Sequence, residues 1–230
     1  MTNTIDRRAR LSSARLLLIF TPELVEAERG KGSALRVLEA CLAEVDVVQV
    51  RVKPEGQSSG PSPARPLFDW THSVLELSKE LGSAAPLITV NDRIDVALAL
   101  ADLGCAGCHI GRTDLPAKAA RELLGPELLL GQSTRTARDV VSSDDALLDY
   151  LGFGPIYPTR TKGYVDGLGP EAAWVARESS VLPLFAIGGI NETNASELVS
   201  VGRIAVGSAI LSAPDPAAAA KRLRASLNVS

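Results

Sequence analysis

The chain has 230 residues, 46% of them hydrophobic, with a net charge of −3 and only two histidines. This length and apolar content suit one α/β barrel-sized domain with a large core, and the mild negative charge provides no general field for nucleic acid or an anionic membrane. Any cations that matter must therefore act locally.

The chain opens on a basic stretch, with Arg7 and Arg8 ahead of an apolar run at 16–20. The layout superficially resembles an export signal, but Thr21, Pro22 and Glu23 end the run too early for export or for a membrane span. A cytoplasmic protein is expected, with Cys41, Cys105 and Cys108 as reduced thiols. Short β-rich runs then recur at 16–20, 45–51, 86–90, 107–110, 127–131, 147–153, 182–187 and 204–206. Helical periodicity lies between them, first through Ala34, Leu35, Leu38 and Leu42, then through Leu67, Val74, Leu75 and Leu77 to Leu81. It continues over 93–101, 116–124, 136–141, 170–178 and 192–201, and ends in a helix over 217–227 with Asp215 as N-cap and Pro216 at its first position. Strands alternating strictly with helices predict a parallel sheet, and at this length the economical closure is a single (β/α)8 barrel over 1–230, with an open doubly wound sheet as the rival. The segment 54–66, PEGQSSGPSPARP, is too rich in Pro, Gly and Ser to pack and reads as a flexible loop.

Polar residues collect where the predicted strands end. Gln49, Arg51 and Lys53 alternate off strand 2, Asn91 and Asp92 follow strand 3, Asp114 follows strand 4, and Ser133 follows strand 5. Gly188 and Gly189 come after strand 7, and Gly207 and Ser208 after strand 8. In a barrel all of these reach the C-terminal rim, where the active sites of this fold lie. After strand 6 the segment GFGPIYPTRTK (152–162) carries the densest set of donors. Pro155 and Pro158 stiffen it, and Thr159, Arg160, Thr161 and Lys162 alternate hydroxyls with cations, a chemistry suited to phosphate. Asp92 and Asp114 beside Arg51, Lys53 and Lys162 would repel a diphosphate unless a divalent cation bridged them, so Mg²⁺ is expected. The Gly-rich ends after strands 7 and 8 offer backbone amides to a second phosphate.

The segments VQVRVK (48–53), NDR (91–93), GCHIGRTD (107–114), GQS (131–133), GFGPIYPTRTK, AIGGIN (186–191) and GSAI (207–210), in this order, resemble the thiamine phosphate synthase family over nearly the whole chain. The resemblance implies a (β/α)8 barrel that joins a hydroxymethylpyrimidine diphosphate to a thiazole phosphate and releases pyrophosphate with Mg²⁺. It implies that Gln49, Arg51, Lys53, Asn91, Ser133 and Lys162 hold the pyrimidine diphosphate, with Arg51, Lys53 and Lys162 neutralising the leaving group. It further implies that Asp92 and Asp114 hold the metal, and that Thr159, Arg160, Thr161, Gly189, Gly207 and Ser208 hold the thiazole phosphate. The partners implied are small phosphorylated molecules, not nucleic acid or membrane, with a homo-oligomer left open. The chain departs from the family pattern in the turn after strand 1 (IFTPEL), in Arg112-Thr113 before Asp114, and at Gly207.

Plainer uses of the same residues remain. Asp92 would equally serve as N-cap of the next helix, Thr159 and Thr161 as turn formers, and the glycines as points of positive φ or close packing. Cys105-Ala-Gly-Cys108-His109 matches a haem-attachment pattern formally, yet no second cysteine pair or export segment accompanies it, and small-residue packing is expected. His109 reads as a satisfied barrel residue and His72 as a surface one. Two other readings compete with the transferase: a thiazole tautomerase-like paralogue, and a non-catalytic barrel that binds a phosphorylated ligand.

Overall fold

The strand and helix alternation closes on itself. The computed structural model describes residues 4–53, 62–159 and 166–228. In it β1 (Leu16–Phe20), β2 (Val47–Val50), β3 (Leu87–Asn91), β4 (Gly107–Ile110), β5 (Leu129–Thr134), β6 (Tyr150–Phe153), β7 (Leu184–Ile187) and β8 (Ile204–Val206) form a closed parallel barrel in sequence order. Leu17 sits opposite Val47 on one side and Ala205 on the other, so β1 has no free edge and the open-sheet alternative is excluded.

Strand periodicity divides the apolar residues into two cores. Leu16, Leu18, Val48, Val50, Ile88, Val90, Leu130 and Leu151 point outward and are buried under the helices. Their neighbours Leu17, Val47, Leu87, Leu129, Tyr150, Phe185 and Ala205 point inward and fill the barrel. The outer layer is built from α2 (Pro22–Arg29), α3 (Ala34–Cys41), α4 (Ala64–Ser78), α5 (Ile94–Ala99), α6 (Ala117–Leu124), α7 (Ala137–Val141), α8 (Pro170–Glu178), α9 (Ser208–Leu211) and α10 (Pro216–Ala225). As its sequence predicts, α10 starts with Pro216 after Asp215, whose carboxylate accepts the Ala218 amide at 2.9 Å.

A further helix, α1 (Thr4–Ser13), precedes the barrel where the sequence suggests only a basic prelude. Leu11 and the following Ala14 enter the inner core and close the N-terminal mouth. Arg7 and Arg8 fasten this helix below β5 and β6: Arg7 donates to the Glu127 carbonyl, and Arg8 to the Pro126 carbonyl and to Asp149 Oδ1 at 2.7 Å. Asp149 also accepts from Arg121 at 2.6 Å and from the Leu130 amide at 2.8 Å. A comparable carboxylate, Asp46, ties the amides of Arg15 and Leu16, at the start of β1, to Arg224 of α10.

Two sequence expectations shift. Of the loop expected over 54–66, positions 54–61 lie outside the described residues, but Ala64, Arg65 and Pro66 begin α4, where the first turn tolerates proline. The helix expected over 192–201 contracts to a 3-10 turn, Ala195–Leu198. There the side chains of Asn191 and Asn194 accept the Thr193 and Asn191 amides, offering the backbone local partners in place of a helix.

Tyr150 crosses the lumen because Gly131 on the neighbouring strand leaves it room: a Cβ at position 131 would lie 2.1 Å from Tyr150 Cζ. Gly131→Ala is expected to lower stability by about 1–3 kcal/mol, read by chemical denaturation. The same change in a Tyr150→Leu background should be markedly milder, because the clash is with the ring.

Candidate active site

Moving toward the C-terminal mouth, the inward faces of β2, β3 and β5 change from apolar to polar. On β2 the series is Val47, Gln49, then Arg51 just past the strand; on β3 it is Leu87, Thr89, Asn91; on β5 it is Leu129, Gly131, Ser133. Parallel strands in register bring these ends to one level. Gln49 Nε2 donates to Asn91 Oδ1 at 2.7 Å, a buried bond between adjacent strands. Ser133 Oγ lies 2.9 Å from His109 Nε2, and the His109 ring rests 5.4 Å from that of Tyr150. His109 is thus a barrel residue, as expected, but one that also orients Ser133. His72, expected at the surface, is half-buried and stacks on Phe68.

The charged groups meet beside this polar ring. Arg51 is 7% exposed. Burial pulls its guanidinium down from its ordinary pKa, with Asp92 and Glu23 opposing the shift. Lys53 Nζ contacts Asp92 Oδ2 at 3.3 Å. Burial, and then the Arg51 charge, lowers the Lys53 ammonium pKa against the pull of Asp92 and Asp114. For Asp92 burial acts first and raises the pKa, the Asp114 carboxylate adds to the rise, and Lys53 opposes it. Burial thus moves two cations down and one carboxylate up even though they face one another, and groups displaced in this way cluster at functional sites.

Asp92 is not the N-cap of α5. That position falls to Arg93, without a side-chain cap, while Asp92 takes φ 67, the sole positive φ of a non-glycine residue among those described. Its amide donates to the His109 carbonyl at 2.8 Å, which holds the left-handed turn against β4. A left-handed L-residue costs about 1–2 kcal/mol, and such strain concentrates at functional sites. Asp114 Oδ2 accepts the Gly111 amide at 2.6 Å and so folds back toward Asp92. Among the described residues no group of three or more His, Cys, Asp or Glu forms a metal cage. Two carboxylates beside cationic side chains are nonetheless a donor set of the kind Mg²⁺ commonly uses, with phosphate oxygens and water supplying the rest.

The loop after β6 is moored to β7. Ile156 and Tyr157 amides donate to the Ile187 and Gly188 carbonyls, and the Tyr157 hydroxyl donates to Glu197 Oε2 at 3.0 Å. Burial first, then Glu197, pushes the Tyr157 phenol up to about 12. Gly188 and Gly189 have φ values of 99 and 65, and a Cβ on either would strike Pro155 or Pro158 at 2.6 Å. Their packing role is therefore real, and it also brings the β6 and β7 loops together. Thr159 sits half-buried at the end of this mooring, whereas Arg160, Thr161 and Lys162 lie outside the described residues. Gly207 is the N-cap of α9 and Ser208 its exposed first residue, both at the rim above β8.

One site residue escapes the sequence reading. Glu23, in the first turn of α2, accepts the Lys53 amide at 2.9 Å. It stands at a strand's C-terminal end like the other site residues, but after Pro22 it reads equally well as an ordinary acidic helix start.

A closed (β/α)8 barrel that gathers a buried arginine, a half-buried lysine, a paired glutamine and asparagine and two carboxylates at its C-terminal mouth has the layout of a barrel enzyme. Residues 16–210 match the family model described as thiamine monophosphate synthase, and the chain belongs to that family. It is 39% identical over 216 residues to a thiamine-phosphate synthase of Gloeobacter violaceus, covering 92% of this chain and 57% of that protein. With a thiamine-phosphate synthase of Albidiferax ferrireducens it shares 37% over 227 residues, covering 96% of this chain and 95% of the relative. A solved thiamine phosphate pyrophosphorylase from Pyrococcus furiosus superposes with a TM-score of 0.74 at 29% identity, over 96% of both chains.

Asp92→Gly and Asp92→Ala remove the same carboxylate, but only alanine keeps the left-handed penalty. Both variants are expected to lose turnover, with Asp92→Gly unfolding later than Asp92→Ala by about 1 kcal/mol in thermal or urea melts.

Proposed function

We propose that the chain condenses 4-amino-2-methyl-5-hydroxymethylpyrimidine diphosphate with 4-methyl-5-(2-phosphoethyl)thiazole to give thiamine phosphate and pyrophosphate. The observation that carries this reading is the grouping of buried Arg51 with half-buried Lys53, Asp92 and Asp114 beside the Gln49–Asn91 pair at one barrel mouth. Family membership and relatives named thiamine-phosphate synthase support it.

In this reading Arg51, Lys53 and Lys162 take up the charge of the departing diphosphate, while Gln49, Asn91 and Ser133 hold the pyrimidine half. The C–O bond to the diphosphate breaks with its electron pair on oxygen. The electron-rich aminopyrimidine stabilises the resulting methylene cation, and the thiazole nitrogen attacks it to form the new C–N bond. Thr159, Arg160, Thr161, Gly189, Gly207 and Ser208 hold the thiazole phosphate so that the nitrogen faces that carbon. Mg²⁺ would be held by Asp92 and Asp114, where it would supply counter-charge to the diphosphate. No protein nucleophile or general base is required, and the residues act by positioning and electrostatic stabilisation.

The setting is a cytoplasmic one with small phosphorylated molecules as partners. Cys41, Cys105 and Cys108 are free buried thiols, and among the described residues no helix is long and apolar enough to cross a membrane. A tautomerase-like paralogue would not need the Asp92–Asp114 pair. A silent binding barrel would bind both substrates without reaction.

Purified protein given both substrates should release pyrophosphate with Mg²⁺ and stop when the metal is chelated. Arg51→Ala and Lys162→Ala are expected to cut turnover by about 10²–10³, with the melting curve preserved in Lys162→Ala. Binding of both substrates without release of pyrophosphate would instead establish the silent barrel.

A further inference from the structure

The segment that carries Arg51 and Lys53 has unusual support. Strand β2 ends at Val50, and the last backbone bond to β1 is the Arg51 amide donating to the Phe20 carbonyl at 2.8 Å. The Lys53 amide, two residues further, is held by a side chain: it donates to Glu23 Oε1 at 2.9 Å. The second oxygen, Glu23 Oε2, is buried and has no hydrogen-bond partner among the described residues. A buried, underbonded carboxylate oxygen is costly unless positive charge stands close by. Arg51 meets that requirement, since Glu23 and Asp92 are the two carboxylates that oppose the effect of burial on its guanidinium.

Lys53 is thus fixed at both ends of its residue, by Glu23 at the amide and by Asp92 at the ammonium. Arg51 lies between carboxylates presented from the β1 and β3 sides of β2. The helix dipole does not account for Glu23, because Oε1 is engaged by an amide of another segment and not by one of α2.

We infer that Glu23 is a positioning residue for the diphosphate grip: its carboxylate sets the backbone of Lys53 and holds Arg51 in register before the ligand arrives. The inference rests on the assignment of Arg51 and Lys53 to the diphosphate. Glu23 acts through those two cations and has no part at the thiazole phosphate, which the β6, β7 and β8 loops serve.

The test measures the dissociation constant of inorganic pyrophosphate in Mg²⁺ buffer by calorimetry, together with KM for each substrate, in Glu23→Ala, Glu23→Gln and Arg51→Ala. Glu23→Ala is expected to weaken pyrophosphate about tenfold and to raise KM for the pyrimidine diphosphate in step, with KM for the thiazole phosphate unchanged. Glu23→Gln keeps an acceptor for the Lys53 amide and should recover part of the loss. An equal rise in both KM values, or pyrophosphate binding unchanged in Glu23→Ala while Arg51→Ala loses it, overturns the inference and leaves the site assignment standing. Unchanged pyrophosphate binding in Arg51→Ala overturns the assignment and the inference with it. Should Glu23→Ala fail to fold, Glu23→Gln decides: a loss selective for the diphosphate supports the role, and wild-type values refute it.

Discussion

Tyr150 stands across the barrel lumen with its ring against His109 and edge-on to Phe185, 5.9 Å away, in the space that Gly131 leaves open. Below it, Leu17, Val47, Leu87 and Leu129 fill the barrel down to Leu11 and Ala14, which seal the N-terminal end. This dry floor governs the chemistry above it. Charges resting on a water-free base interact more strongly than they would in solvent, and they cannot be neutralised from beneath. The depressed pKa values of Arg51 and Lys53 and the raised one of Asp92 all have burial as their first cause.

Holding charges in such a place opposes folding, and the barrel offsets it elsewhere. At the closed end Asp149 gathers Arg8, Arg121 and the Leu130 amide, and Asp46 gathers Arg224 with two amides at the start of β1. These carboxylates have their lone pairs filled by well-placed donors, which is the condition under which buried ionic groups are tolerated. The open end is arranged differently. Asp92 is held in a left-handed turn, Glu23 Oε2 lacks a hydrogen-bond partner among the described residues, and Asp92 and Asp114 repel each other. One end of the barrel is satisfied as it stands. The strained turn and the underbonded carboxylate lie at the other.

The strand ends were legible because a parallel barrel imposes a simple rule on sequence: a β-rich run followed by a polar residue points to the rim. Gln49, Arg51, Lys53, Asn91, Asp92, Asp114 and Ser133 all stand at or just past strand ends, where that rule puts them. Glu23 obeys it too but was masked by Pro22, which makes the same residues look like a helix start. The basic opening gave no hint of α1, since among the described side chains that helix adds only Leu11 to the inner core, and Arg7 and Arg8 find their partners near residues 126 and 149. The helix expected over 192–201 failed for a local reason, the competition of Asn191 and Asn194 side chains for backbone amides.

By itself, then, the sequence determined the number, order and parallel class of the strands and which residue types stand at their ends, because alternation and strand-end position are one-dimensional patterns. Closure against the open-sheet rival was decided by the pairing of β1 with β8. Tertiary structure also decided what each group does at the mouth. It showed that Asp92 serves Lys53 and not a helix cap, that Gly131 exists for the ring of Tyr150, that His109 orients Ser133, and that Glu23 holds the Lys53 amide. Each of those facts is a contact between strands whose partners lie far apart in the chain, and only closure of the barrel brings them within reach.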